Sequence, residues 1–327
     1  MLRYILNRIL LMIPVALGLI VIIFTLMYFT PGDPAYSILG DNATPEQVKQ
    51  IHERLKLDDP YLIQLGRYVF GVMRGDFGVS YKSNQPVTKE ILHRFPYTLK
   101  LALLSVALGI VIGVIAGVVS AVKQYSILDK ILTSFSLFGV SAPSFWLAMM
   151  LVLLFAVTLR LLPPNGSYGP EYWILPVFTL GLQASASIMR MTRTSMLEVV
   201  RQDYIRTSRA KGQNEFVTIM KHAFRNALIP IVTVIGLQIT HFLAGAVLVE
   251  TVFAIPGLGK YIVDSIGFKD YPVVQGGVLF IGFNCIIVTL LVDILYFFID
   301  PRIRSMYAGR KLPKRLKSLP ATQLGGN

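Results

Sequence analysis

The sequence predicts an all-α transmembrane bundle of six spans with both termini cytoplasmic, and three observations carry that prediction. Hydrophobic residues make up 54% of the 327 and charged residues only 15%, against about 25% charged in an ordinary soluble domain. Six apolar stretches are long enough to cross a bilayer core, which takes about 20 residues of helix. The Lys and Arg residues are distributed unevenly between the segments that join those stretches.

The first stretch, 9–29, has no charged residue and comes after Arg3 and Arg8. It is too long for a leader core and no small-x-small site follows it, so residues 1–30 read as a cytoplasmic N-terminus and an uncleaved span. Stretches 101–122, 131–159 and 172–189 also carry no charge. The fifth, 226–249, contains only His241, and the sixth, 272–299, contains Asp293. Placing the N-terminus inside puts nineteen basic residues in cytoplasmic segments and twelve outside, nine of the twelve in or beside the long segment 31–96. Short loops govern orientation, so the basic excess is topology and does not indicate nucleic acid.

Segment 31–96 is too polar to insert. Thr44, Pro45 and Gln47 form a capping-box start, with Val48, Ile51 and Leu55 on one helical face. A second amphipathic run, 61–73, places Leu62, Leu65, Tyr68, Val69 and Val72 together. Two short helices are expected there, as a structural cap or as a docking surface. Residues 97–300 form the five-span core, in which Ser105, Gly109, Gly113 and Gly117, followed by Ala121, repeat every four positions. Such a stripe lets two helix backbones approach in lipid. Pro143, Pro176, Pro230 and Pro272 lie in or at the starts of spans, where each kinks or begins a helix.

The cytoplasmic loop 190–225 holds eight basic residues against three acids. Asp203 is expected to cap a short helix over 204–211, stopped by Gly212 in the left-handed region. An amphipathic stretch, 216–224, leads into the fifth span. A short basic helix projecting from a bundle suits docking in a cytoplasmic partner, although a solvated loop would have the same composition. The tail 301–327 is basic and expected to be disordered beyond about residue 319.

Chemistry-bearing motifs are few. Cys285 is the only cysteine and there are four histidines, which is poor material for a metal centre. Gly257-Leu258-Gly259-Lys260 lacks the other residues of a phosphate-binding loop, with Ala254 and Tyr261 where Gly and Ser or Thr are needed. The chain alone should therefore not hydrolyse ATP. Gln183, Gln238, His241, Asn284 and Asp293 lie within spans, where polar groups face the bundle or a wet cavity, and they are the candidates for a translocation path. For Asp293 an internal ion pair or a hydrogen-bonded structural acid is the favoured reading, and for His241 a hydrogen-bonded packing histidine.

Ordered landmarks then carry a resemblance. They are Pro31-Gly-Asp-Pro34, Gly75-Asp-Phe-Gly78, Arg94-Phe-Pro-Tyr-Thr98 and Ser141-Ala-Pro-Ser-Phe-Trp146. Next come Arg190-Met-Thr-Arg-Thr-Ser-Met-Leu-Glu-Val199, Asp203-Tyr-Ile-Arg-Thr-Ser-Arg-Ala-Lys-Gly212 and His222-Ala-Phe-Arg-Asn-Ala-Leu-Ile-Pro230. Pro256-Gly-Leu-Gly259, Asp270-Tyr-Pro-Val-Val-Gln-Gly-Gly277 and Asp300-Pro-Arg-Ile-Arg304 close the set. This order resembles the permease subunits of peptide- and nickel-type ABC importers, most of all the B-type dipeptide or oligopeptide permease. The resemblance implies a multi-pass subunit of the inner membrane that pairs with a second permease, two ATPases and an external substrate-binding protein. ATP and Mg would be bound by the ATPases, with no cofactor, metal or catalytic residue in this chain. It also implies that Asp203, Tyr204, Arg206, Thr207, Ser208, Arg209, Ala210, Lys211 and Gly212 form the coupling helix. The family also serves nickel and glutathione. A self-sufficient secondary transporter would show inverted repeats or a midplane ion site, and neither is apparent.

Overall fold

The computed structural model describes residues 2–40 and 42–299; the predicted tail 301–327 and the landmark at 300–304 lie outside them. The chain is helical, and among the described residues the only strand-like pairing is a bridge between Val79 and Pro86. Helix α1 spans Leu2–Tyr28. Three short helices come next: α2 (Pro34–Leu39), α3 (Pro45–Leu55) and α4 (Tyr61–Met73). The expected capping box at Thr44 and Gln47 starts α3, with both reciprocal bonds present. Helix α4 docks on the end of α1 through aromatic rings, Phe24 lying 5.3 Å from Tyr68 and Tyr28 lying 5.1 Å from Tyr61.

Helix α5 (Val87–Val122) has 36 residues, about 54 Å at helical rise and longer than a bilayer core is thick. It starts inside the polar segment assigned to 31–96, so the boundary at 97 falls within a continuous helix. The predicted span 131–159 is sharply broken at Pro143. It is two helices, α6 (Ile127–Ser141) and α7 (Ser144–Leu151), the latter continued by a π-helical turn over Val152–Thr158. The two halves lie 106° apart. Pro143 forces Ala142 into an extended conformation, ψ 127°, and cannot donate a backbone bond. The opened turn is closed from outside, because Gln183 Nε2 donates to the Ala142 carbonyl at 2.9 Å.

Helix α8 (Ile174–Val200) is the best-buried element and continues beyond the predicted span 172–189 into the expected loop. It lies along α5 in the same direction. A Cβ added at Gly109 would meet Ala184, one at Gly113 would meet Ser185 and Ile188, and one at Gly117 would meet Met189 and Thr192. Both backbones therefore touch at four-residue intervals, the arrangement that small residues permit in lipid. Ser105 is fully buried on the same face.

Beyond α8 come α9 (Asp203–Ala210), the short α10 (Glu215–Val217), a π-helical turn over Thr218–Phe224 and α11 (Arg225–Gly245). Two further short helices, α12 (Val247–Val252) and α13 (Leu258–Gly267), precede α14 (Tyr271–Ile299). Among the described residues five helices are long and apolar enough to cross a membrane, and the count is six if the bent α6–α7 pair is one span. One core joins α5, α8 and α11, and a second joins α1, α4, α13 and α14.

Candidate functional site

The segment after α8 is built from its own sequence. Helix α9 begins at Gln202, which has extended backbone. Asp203 is therefore already in the first turn and is not the cap, and no side-chain cap bond is made. Its carboxylate still lies where the helix dipole favours negative charge. Lys211 is the C-cap and Gly212 comes next with φ +74°, the left-handed stop that glycine accepts at little cost.

Three contacts hold α9 to its neighbouring elements. Ile205 is fully buried with Met196, Ile219 and Ala223. Ser208 donates to Gln213 Oε1 at 2.6 Å and lies 3.2 Å from the Thr218 hydroxyl. Arg209 forms a fork on Glu215, Nη2 to Oε1 at 2.6 Å and Nε to Oε2 at 3.0 Å. Arg209 is thus spent inside the element. Tyr204, Arg206, Thr207, Ala210 and Lys211 remain exposed beside Phe216, which is 72% exposed. The result is a small, fixed, basic and aromatic surface at the end of the bundle.

Behind it lies a network that sequence reasoning does not reveal. Asp129, at the start of α6, is only 3% exposed. It accepts from Arg193 Nε at 2.8 Å and Nη2 at 2.9 Å, from the Tyr125 amide at 2.9 Å, and from the Ser120 hydroxyl. The ends of α5 and α6 are thereby fixed to α8 just before α9. Asp129 borders an apolar stretch and Arg193 belongs to a basic run, so each reads in sequence as a boundary charge. The one local signal is Ser126 three residues ahead of Asp129, which caps α6.

At the opposite end, Glu250 is fully buried. Its Oε1 accepts from Thr98 at 2.5 Å and its Oε2 from the Lys260 amide at 2.8 Å. A side chain on Gly257 would occupy the carboxylate's own space, which explains the glycine in Pro256-Gly-Leu-Gly259. Asp270 similarly binds the 80–82 turn, accepting from Ser80 at 2.6 Å and from the Tyr81 amide at 3.1 Å.

The five polar span residues are not brought together by hydrogen bonds. Gln183 serves the α6–α7 break. Asn284 donates to Phe280 O of its own helix at 2.8 Å. Asp293 is paired with Arg8 of α1 at 2.9 Å. His241 is exposed beside the Phe242 ring, and Gln238 is half-buried on the same helix.

One titratable group stands out in the cap formed by α2–α4. His52 bridges Asp33 at 2.9 Å and Asp58 at 3.0 Å, and Asp33 also caps α2. Hydrogen bonds that His52 donates to Asp58 and then to Asp33 raise its pKa above the ordinary value. A raised pKa in the folded state stabilises the cap fully below the unfolded value, and that contribution disappears as pH rises through the folded value. Raising pH from about 6 to about 9 should therefore weaken hydrogen-exchange protection of α2 and α3, more in wild type than in His52→Gln. An equal loss in both proteins would show that His52 is not responsible.

Residues 109–305 match the family described as binding-protein-dependent transport system inner membrane component, and residues 1–102 match the N-terminal model of such membrane components. The chain belongs to this family of inner-membrane transport components. Dipeptide transport system permease protein DppB of Alkalihalophilus pseudofirmus is 42% identical, over 93% of this chain and 100% of its own length. DppB of Escherichia coli is 41% identical over 93% of this chain and 99% of its own. A putative peptide transport system permease of Brucella abortus is 45% identical over 92% and 98%. An inward-facing structure of the MetNI methionine ABC transporter superposes with a TM-score of 0.56 at 19% identity, covering 64% of this chain and 96% of that one. The family therefore has the ABC importer permease fold here, as a multi-pass inner-membrane component.

Proposed function

We propose that this chain is a translocation subunit of an ATP-driven importer for di- and oligopeptides, and that α9 couples it to ATP hydrolysis in partner subunits. Full-length identity above 40% to permeases named for dipeptide and peptide transport carries the substrate class. Family membership supports work alongside an external binding protein. A second permease and two ATPases complete the assembly in this reading, with the end bearing α9 cytoplasmic and the cap of α2–α4 outside.

The coupling role rests on shape and chemistry. Helix α9 is short, fixed to the bundle by Ile205 and braced on α10 by Arg209, and presents Tyr204, Arg206 and Lys211 outward. Displacement of such an element by a partner passes directly into α8 and α11. ATP-driven closure of the ATPase pair then shifts the pore between two states, provided closure favours one of them.

Gly212→Val tests the assignment. Nothing lies within 4 Å of a Cβ at Gly212, so the substitution acts chiefly through φ, which is +74°. A β-branched residue in the left-handed region is strained, so α9 should lose its stop and its orientation. The variant should insert at wild-type level, while binding-protein-stimulated ATPase activity and uptake fall at least about tenfold if docking loses about 1.4 kcal/mol. Wild-type uptake in a well-expressed variant would remove α9 as the coupling element.

A further inference from the structure

Between the start of α5, the 80–83 turn and α13 lies a cavity of about 560 Å³. Its charged lining is Lys82, Glu90, Arg94, Lys260 and Asp264, three cations against two carboxylates. Both carboxylates are already engaged, Glu90 by Arg94 at 2.9 Å and Asp264 by Lys260 at 2.7 Å. Among the described residues Lys82 has no carboxylate partner. Its Nζ instead lies 3.0 Å from the centroid of the Phe268 ring.

Arg94 is set more firmly. Its guanidinium lies over the Tyr261 ring, 4.1 Å from the centroid, and is paired with Glu90. Its Nε is buried and has no hydrogen-bond partner. A charged donor shut away from water without an acceptor is costly. Three cations against two engaged carboxylates leave the lining one anion short, and a carboxylate matches the Lys82 ammonium together with the guanidinium N–H groups that Glu90 does not use. Ile255, Pro256 and Phe268 supply an apolar wall beside the cations. The volume falls in the range of about 300–1,000 Å³ usual for small-molecule sites.

We propose that this cavity receives the carboxylate of a short peptide in transit, with Arg94 and Lys82 as its anchors. The proposal rests on the reading of the chain as a peptide importer subunit. It adds a chemical requirement to that reading, because a peptide whose C-terminus is amidated loses the group that the cavity binds.

The test uses the complete transporter in proteoliposomes without its external binding protein, so that discrimination by that protein cannot enter. Cys285→Ser removes the native thiol, and Ser83→Cys places one on the exposed turn lining the cavity. Labelling by a membrane-impermeant maleimide is timed against increasing dialanine, N-acetyl-dialanine, dialanine amide and inorganic phosphate. Dialanine and N-acetyl-dialanine should slow labelling, whereas the amide and phosphate should not. Lys82→Gln and Arg94→Gln should each raise the half-protecting concentration about tenfold, as loss of a charge-assisted bond implies. Lys82 is exposed, so its variant carries the test even if Arg94→Gln assembles poorly.

Equal protection by the amide or by phosphate, or unchanged protection in Lys82→Gln, overturns the site. Dialanine uptake by the wild-type assembly with its binding protein is measured in parallel. Uptake without protection overturns the site alone, while absence of both overturns the peptide reading beneath it.

Discussion

Gly113→Leu should abolish assembly of the bundle. A Cβ at this position would come within 2.7 Å of the Ser185 carbonyl and 2.9 Å of Ile188 Cβ. One obstacle is backbone and the other is the branched root of a side chain, so neither can turn away. Overpacking of this kind costs about 3 kcal/mol or more, because two long helices must separate along their length. Detergent-solubilised Gly113→Leu should elute as aggregate or fail to accumulate. Gly66→Ala, where nothing lies within 4 Å of the added methyl group, should match wild type. A monodisperse, transport-competent Gly113→Leu protein would mean that α5 and α8 do not pack through their backbones.

Asp129→Ala should be nearly as damaging. It leaves Arg193 without its carboxylate in a site where that carboxylate is only 5% exposed. Breaking a buried pair from one side costs about 3–5 kcal/mol, whereas replacing both partners by apolar residues is often close to neutral. Asp129→Ala should therefore lower the thermal midpoint sharply, and Asp129→Leu with Arg193→Met should recover most of it. The recovered protein then separates two roles. If the pair serves only stability, ATPase stimulation returns with the midpoint. If it also transmits motion between α6 and α8, stimulation stays low. A single variant as stable as wild type would show that the pair contributes little.

Apolar composition makes the spans legible, and four-residue spacing does the same for Ser105, Gly109, Gly113 and Gly117. Their partner surface on α8 is not legible, because Ala184, Ser185, Ile188 and Thr192 share no residue type. Pro143 announces a kink, but packing against α8 and the bond from Gln183 set its size. Gly212 marks the end of α9 because positive φ is a local demand. The start of α9 lies one residue from the position its sequence suggests, since Asp203 favours both the N-cap and the first turn and only backbone geometry separates them. Asp129 and Glu250 escape sequence reasoning for one reason. Each sits just outside an apolar run, where a charge reads as the membrane boundary and long-range partners leave no local trace.

The parallel pairing of α5 and α8 has a consequence for how the protein is made. Two parallel helices cannot form a hairpin, so α5 emerges from the ribosome long before its partner surface exists. From Val122 to Val200 is about 80 residues, roughly 4–16 s of synthesis at about 5–20 residues per second. During that interval the glycine face of α5 lacks the α8 surface that it packs against in the finished bundle. Insertion and tertiary packing are therefore separated in time for this pair. Any helix offering small residues at the same spacing, including one from a neighbouring nascent subunit, can compete for that face until α8 arrives.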